Sequence, residues 1–272
     1  MFIYNKNTPR VCQVKSGFKM DNITPELLDM ILSYLDRSTL KIYVTVSRRW
    51  QHSIESYTLK QVRVDTAHHE TFSKIFSDRR RRQILSEIQY YALLPRYSRW
   101  RSLRYEQDDE KQANNIAFTK NFLAFLQILA AWESEDGECA SFADVSLKLG
   151  AHSPSDWEPH PEGLDEKRYE RSYLRFEPDD EPPIVSRITE FHDLAIGLKS
   201  GGRTIEHSSV AEIAALFPRL STLRWFMSDD ERRNPVVRQQ RRYGEITCPP
   251  VQKCKTNLLL AWNRIRSKLV KT

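Results

Sequence analysis

Residues 20–55 read MDNITPELLDMILSYLDRSTLKIYVTVSRRWQHSIE and contain a dense helical pattern between sharp breaks. Thr24 and Pro25 are typical of a helix start, because a threonine hydroxyl can cap the first turn and proline fits the first helical position. The polar residues Asp36–Ser38 interrupt the pattern, so the sequence predicts a second helix capped by Ser38. Ser47 is predicted to open a third helix.

The three predicted helices carry more large apolar side chains than so short a unit can bury. These side chains recur mostly at steps of three and four residues, which is the period of a helix face. They are Leu27, Leu28, Ile31, Leu32, Leu35, Leu40, Val46, Trp50 and Ile54. Chains below roughly 40 residues seldom fold unaided. We therefore expect part of this apolar surface to be buried against another surface.

The order of residues from Ile23 to Glu55 resembles the F-box. The resemblance rests on Ile-x-Pro-Glu-Leu-Leu, Ile-Leu-x-Tyr-Leu-Asp, a leucine, Val-Ser-Arg-x-Trp and Ile-Glu, in that order and without a gap. The family usually has Leu-Pro where this chain has Ile23-Thr24. The alternative interpretation is an ordinary three-helix piece of a larger helical core.

The F-box resemblance implies a docking module that binds a small Skp-type adaptor, which joins the chain to a cullin–RING ubiquitin ligase. It implies that Pro25 and Glu26 lie at the adaptor contact. We predict that the nine apolar residues named above complete the adaptor-binding set, some by closing the small helical core and the rest by forming the apolar face buried against the adaptor. The chain would then be a substrate-recruiting subunit of a Skp–cullin–F-box (SCF) type ubiquitin ligase. Such a subunit is not itself an enzyme.

The remainder of the chain is predicted to be an α/β domain. The spacing apolar-x-x-apolar-x-apolar occurs at 59–64, 85–90, 142–147 and 220–225, with a weaker copy at Val185 and Ile188. Helical patterns lie between these strand candidates, at about 67–82, 113–132 and 210–217. Strand-plus-helix units suggest an irregular solenoid resembling leucine-rich repeats, as in many fungal F-box proteins. A compact α/β domain would produce the same alternation.

The predicted domain organisation is therefore a flexible arm (1–19), an F-box (20–57) and a repeat-like domain (58–272) that holds the target protein. Inserted loops are expected at about 95–112 and 153–183. These loops and the strand side are the first candidates for target binding.

No catalytic, cofactor-binding or metal-binding residues are predicted. The four cysteines have no zinc-site spacing, the seven histidines are interpreted as solvent-facing, and no glycine-rich phosphate loop is present. The apolar run 122–132 is interrupted and too short to span a bilayer, so no membrane partner is expected. We expect a cytoplasmic or nuclear protein, or one found in both compartments.

The alternative function comes from the distribution of charge. Residues 232–272 contain eleven Lys and Arg and one acid, Glu245, whereas the whole chain has a net charge of +6. A basic end of this kind suggests a nucleic-acid-associated or other scaffolding protein. The run Arg79–Arg82 invites the same interpretation, but a solvated helix end explains it more simply.

Overall fold

The computed structural model describes residues 23–102, 104–136, 143–157, 168–169, 172–194 and 203–225. The chain divides into two compact units, Met1–Thr58 and Leu59–Thr272. The described part contains both helices and a sheet, which confirms the α/β class. The predicted arm at 1–19 and the basic end from 232 lie outside the described residues.

The first unit contains three short helices, α1 (Pro25–Ser33), α2 (Arg37–Tyr43) and α3 (Arg48–Thr58). The predicted cap of α2 at Ser38 is wrong by two residues. Asp36 is the N-cap, with φ −64° and ψ 139°, and its carbonyl accepts a hydrogen bond from the Thr39 N–H at 2.9 Å. The Ser47 hydroxyl accepts from the Trp50 N–H at 3.4 Å, which agrees with its predicted place at the start of the third helix.

The second unit is built on five parallel strands that follow one another in sequence order across the sheet. The strands are β1 (Gln61–Asp65), β2 (Glu87–Leu93), β3 (Val145–His152), β4 (Ile188–Asp193) and β5 (Thr222–Arg224). All five lie at the repeated apolar spacing, including the weaker copy. Within the loop predicted at 153–183, Leu174 forms a single isolated bridge to Ile205.

Among the described residues, α-helices lie between β1 and β2, between β2 and β3 and between β4 and β5, and two predicted helices differ from the structure. The helices are α4 (His69–Ile75), α5 (Arg79–Ile84), α6 (Arg99–Ser102), α7 (Asp108–Asp136) and α8 (His207–Ala215). The single helix predicted at 67–82 is divided into α4 and α5. The division lies at Asp78, whose carboxylate caps the second helix by accepting the Arg80 N–H at 2.9 Å.

The loop predicted at 95–112 ends earlier than expected, because α7 begins at Asp108. Glu110 reaches back and accepts the Gln107 N–H at 2.9 Å, as in a capping box. Asp108, Asp109 and Glu110 place three acids in the first turn, where the helix dipole favours negative charge. These three acids, which fall in the loop predicted at 95–112, are therefore the start of α7, the longest helix among the described residues.

The core of the second unit lies between α7 and the sheet, with α4 and α8 contributing further side chains. Tyr90 on β2 stacks on Phe125 of α7, with ring centroids 4.2 Å apart and planes inclined by 11°. Phe72 and Trp132 extend the same aromatic cluster, with their centroids 5.0 Å apart. One face of the sheet is therefore buried against helices, while the other face carries the polar residues of each strand.

Candidate functional site

The start of α1 is fixed by a cap that orients the residues after it. Thr24 has φ −65° and ψ 153°, and its hydroxyl accepts a hydrogen bond from the Leu27 N–H at 3.5 Å. Pro25 occupies the first helical position. The pKa of Glu26 is lowered, first by the hydrogen bond from its own backbone N–H, then by the Thr24 hydroxyl and the charge of Arg49. Pro25 and Glu26 are both exposed.

Five of the side chains predicted to bind the adaptor are buried inside the three-helix unit. They form its core, and they are Leu28, Leu32, Leu40, Trp50 and Ile54. The Trp50 ring also contacts Tyr43, with centroids 5.9 Å apart. Leu35 is half-buried against the same core. These residues hold the helices together, and the core five are not exposed to a partner.

Large apolar side chains are exposed along one face of α1, and we call this surface the α1 stripe. It consists of Leu27, Met30, Ile31 and Tyr34, which are spaced by three and four residues. Leu27 is 51% exposed and Tyr34 is 84% exposed. The sequence prediction included Leu27 and Ile31 but missed Met30 and Tyr34. Their spacing was a signal that could have identified them, since it repeats the helical period of the buried set.

The region around α2 exposes two further apolar side chains, Ile42 and Val46. Val46 was predicted as a contact residue, whereas Ile42 was not. Exposed apolar patches on a folded protein often mark a surface that binds another protein. The three-helix unit therefore presents apolar surface on α1 and, separately, on α2 and the turn after it.

The open face of the sheet carries two rows of polar side chains that cross the strands. Register aligns a basic row, which consists of Arg63, Gln89, Lys148, His192 and Arg224. The row beside it contains the acids Glu87 and Glu190. Lys148 Nζ lies 2.7 Å from Glu87 Oε2, and His192 Nε2 lies 3.1 Å from Glu190 Oε2. Because the rows neutralise each other in part, this face has no strong excess of either charge.

The Arg79–Arg82 run does not form a fully solvated helix end. Arg82 is buried, and its guanidinium lies 2.8 Å from Glu135 Oε2 and 2.7 Å from Asp136 Oδ1. Arg187 reaches the other oxygen of Asp136 at 3.3 Å. The solvated interpretation is therefore wrong for Arg82, which instead links α5 to the end of α7.

The histidine interpretation is wrong for His69. Its side chain is half-buried and its Nε2 lies 3.1 Å from the Tyr90 hydroxyl. Burial lowers the pKa of His69, although the nearby Asp65 acts in the opposite direction. His69 is thus a packing residue beside the aromatic core.

Metal ligation and membrane spanning find no support among the residues described by the structure. Within those ranges, no group of three or more His, Cys, Asp or Glu side chains is placed to hold a metal ion. Likewise, no helix in the described part of the chain has the length and apolar character needed to cross a membrane.

Comparison with known proteins gives no match to a family model, to a curated protein or to a solved structure. The resemblance of residues 23–55 to the F-box therefore rests on their sequence order. The structure adds one observation that bears on this resemblance, which is the exposed apolar surface of the three-helix unit.

Proposed function

We propose that the chain is the substrate-recruiting F-box subunit of an SCF-type ubiquitin ligase. The three-helix unit would bind a Skp-type adaptor, and the second unit would hold the target protein. The observation that carries this proposal is the α1 stripe, an exposed row of apolar side chains on a helix whose other side is already buried in a core.

The division of α1 into a buried side and an exposed side supports a docking role. Leu28 and Leu32 close the core of the unit, whereas Leu27 and Ile31, one residue earlier in each case, remain accessible. Burying a large apolar side chain contributes about 1.5–3 kcal/mol. Partial burial of the four α1-stripe residues by an adaptor would thus supply a substantial part of the binding free energy.

We infer that the second unit is an irregular solenoid resembling leucine-rich repeats. Its support is the sheet order, in which each parallel strand lies beside the next strand in sequence. Stacked repeats produce this order. A doubly wound α/β sheet instead reverses its strand order at a switch point. The intervals between strands are irregular because the helices between them differ in length. For example, α8 has 9 residues and α7 has 29.

The proposed mechanism is positional, because the ligase supplies the chemistry. An F-box subunit brings a target into the same complex as the charged ubiquitin carrier, which raises the local concentration of the target lysine. This role needs two binding surfaces and no catalytic side chain.

The test is binding of a purified Skp-type adaptor to the full chain, measured by pull-down and by calorimetry. We compare the parent with a double variant, Leu27→Asp with Ile31→Asp, which places two carboxylates on the α1 stripe. Burying an unpaired charge is very unfavourable. We expect the variant to lose binding while keeping the circular dichroism of the parent. Leu28 is unsuitable for this purpose because it is buried in the core.

The matched control is His52→Asp with Ser56→Asp, which places the same two charges four residues apart on the exposed side of α3. This control should bind the adaptor as the parent does. A folded parent chain that does not bind any Skp-type adaptor would contradict the proposed function. That result would favour the nucleic-acid alternative, which is based on residues 232–272, outside the described ranges.

A further inference from the structure

The segment between β2 and α7 combines arginine and aromatic residues in an unusual density. Residues 95–105 read PRYSRWRSLRY, with four arginines and no acid. Trp100 in α6 is 82% exposed, and Arg96 and Arg104, four residues to either side, are also exposed. We call these three residues the Trp100 surface. Trp and Arg are residue types enriched in the energetic centres of protein interfaces.

The backbone on either side of Trp100 is held firmly by buried partners. The Ser155 hydroxyl donates to the Tyr97 carbonyl at 3.0 Å and accepts the Tyr97 N–H at 3.2 Å. The Ser153 hydroxyl donates to the Pro95 carbonyl at 2.8 Å. The Tyr97 hydroxyl donates to Asp156 Oδ1 at 2.6 Å. The start of the segment is therefore fixed to the residues that follow β3.

A buried arginine holds the other end of the segment. The guanidinium of Arg168 donates to the carbonyl oxygens of Arg101 and Arg104 and lies 3.3 Å from Glu110 Oε1. The same guanidinium lies over the Tyr97 ring, 4.1 Å from its centroid. Arg168 thus cross-links both ends of the segment and the first turn of α7. A surface that is ordered before binding loses less conformational entropy when a partner binds.

Two acidic side chains of this region are buried in ion pairs, whereas two of its arginines are exposed. Glu106 is buried and pairs with Arg203 at 2.6 Å, and Glu110 pairs with Arg101 at 3.0 Å. In contrast, the structure gives neither Arg96 nor Arg104 a carboxylate partner among the residues it describes. Glu106 and Glu110 are therefore engaged inward, whereas the two exposed arginines without a carboxylate partner lie four residues to either side of the exposed Trp100 in the sequence.

We propose that the Trp100 surface binds an acidic segment of a target protein, with an apolar residue of that segment packed on the Trp100 ring. This inference rests on the proposed function, because it assigns the target-binding site of the second unit. Arg96 and Arg104 bind the carboxylates, and Trp100 provides the apolar contact. The open face of the sheet is the weaker candidate, since its basic row is partly neutralised by Glu87 and Glu190.

A peptide fits the Trp100 surface better than a nucleic acid does. Single-stranded nucleic acids bind by stacking successive bases on several rings. Here the Tyr97 ring is covered by Arg168, which leaves Trp100 as the exposed ring of the described part of the segment.

The test is fluorescence anisotropy with the purified full chain and labelled short peptides rich in glutamate, each with one central leucine, phenylalanine or tryptophan. The comparison probes are the same peptides with glutamine for glutamate, and oligothymidylate. We expect at least one acidic peptide to bind, with an affinity that falls as salt rises, and its glutamine counterpart to bind about tenfold more weakly or not at all. Failure of every acidic peptide to bind the parent overturns the inference, and so does a preference for oligothymidylate.

Variants locate the binding surface. Trp100→Ala, and separately Arg96→Gln with Arg104→Gln, should each weaken binding about tenfold. The matched controls are Ile116→Ala, at an exposed apolar residue of α7, and Arg63→Gln with Arg224→Gln, on the open face of the sheet. These controls should bind as the parent does, and an equal loss in either control overturns the assignment.

Adaptor binding separates this inference from the proposed function. Trp100→Ala should still bind the Skp-type adaptor, because the substitution lies in the second unit. Adaptor binding without peptide binding overturns the target site alone. Peptide binding without adaptor binding overturns the ligase role and leaves an acidic-peptide-binding module.

Discussion

The two units of the chain differ in the share of their large apolar side chains that is buried. In the described part of the first unit, five such side chains form the core and seven are exposed. In the described part of the second unit the core is far larger, and the exposed large apolar residues are Ile75, Trp100, Ile116 and Ile184. A small helical unit can keep its shape with few buried contacts, but it then leaves apolar surface for a partner. A larger unit can bury nearly all of its apolar residues, so an exposed tryptophan there is exceptional.

The largest effect on stability is expected in the core of the second unit. Phe125→Ala removes a fully buried ring that stacks on Tyr90 and contacts Phe72. Such a change should lower the free energy of unfolding by about 3–5 kcal/mol. Chemical denaturation followed by circular dichroism measures it, with Ile116→Ala on the exposed side of α7 as the control. An equal effect of the two substitutions would contradict the described packing.

A smaller but selective effect is expected in the first unit. Leu32→Ala removes one of five core side chains, with an expected loss of about 3 kcal/mol. Because the two units are compact separately, this loss should unfold the three-helix unit while the second unit keeps its structure. Hydrogen exchange should show lost protection in α1–α3 alone. Simultaneous loss of protection in the sheet would show that the units fold as one.

The ion pairs of Glu110 with Arg101 and Arg168 should make stability depend on pH. Burial raises the pKa of Glu110, but the Gln107 N–H and the charges of Arg168 and Arg101 outweigh it and lower the pKa below 4.5. A lowered folded pKa stabilises the fold above the unfolded pKa, and this stabilisation is lost as pH falls through the folded value. Glu110→Gln should therefore cost about 2 kcal/mol at neutral pH. The difference from the parent should shrink as denaturation is repeated below about pH 4.5, and a constant difference would argue against an ionised Glu110.

The cap of α1 should contribute less. Thr24→Ala removes the acceptor of the Leu27 N–H, and we expect a loss of about 1 kcal/mol from the first unit. Thr24→Ser keeps a hydroxyl at the same position and should restore most of the stability. Thermal unfolding of both variants measures the difference. If the two variants were equally stable, the cap would have no role in fixing the helix start.

The smallest effect is expected on the α1 stripe. Met30→Gln changes a side chain that is 56% exposed, so stability should change by less than about 0.5 kcal/mol. The same substitution should weaken adaptor binding, as measured by calorimetry. A large loss of stability would mean that the stripe belongs to the core and would remove the contrast between the two units.

Periodicity was sufficient to predict the strands and most of the helices. The spacing that begins at Leu59 and Leu85 places apolar residues on one side of a strand, and the structure buries Val64, Ile88 and Tyr90 accordingly. Patterns of this kind work because burial of alternate residues is what forms the sheet. Helix ends were harder, since the start of α7 depends on a capping contact between Gln107 and Glu110.

The sequence could not show which apolar residues of α1 are buried. Leu28 and Leu32 have the same four-residue spacing as Leu27 and Ile31, so periodicity describes both sides of the helix equally well. The choice depends on where α3 packs, which is a tertiary contact. Buried arginines such as Arg82 were missed for a similar reason, because their partners Glu135 and Asp136 are more than fifty residues away.

The order of the five strands has a consequence for how the protein is made. Each of the five strands pairs with the strands next to it in sequence. Pairing of an early strand therefore does not require a strand from much later in the chain. As the chain leaves the ribosome, β1 and β2 can pair before β4 and β5 have been synthesised. Domains that form such neighbouring contacts avoid closing very long loops in the unfolded chain. Folding during synthesis can therefore proceed in the same direction as translation, with the three-helix unit emerging before the sheet.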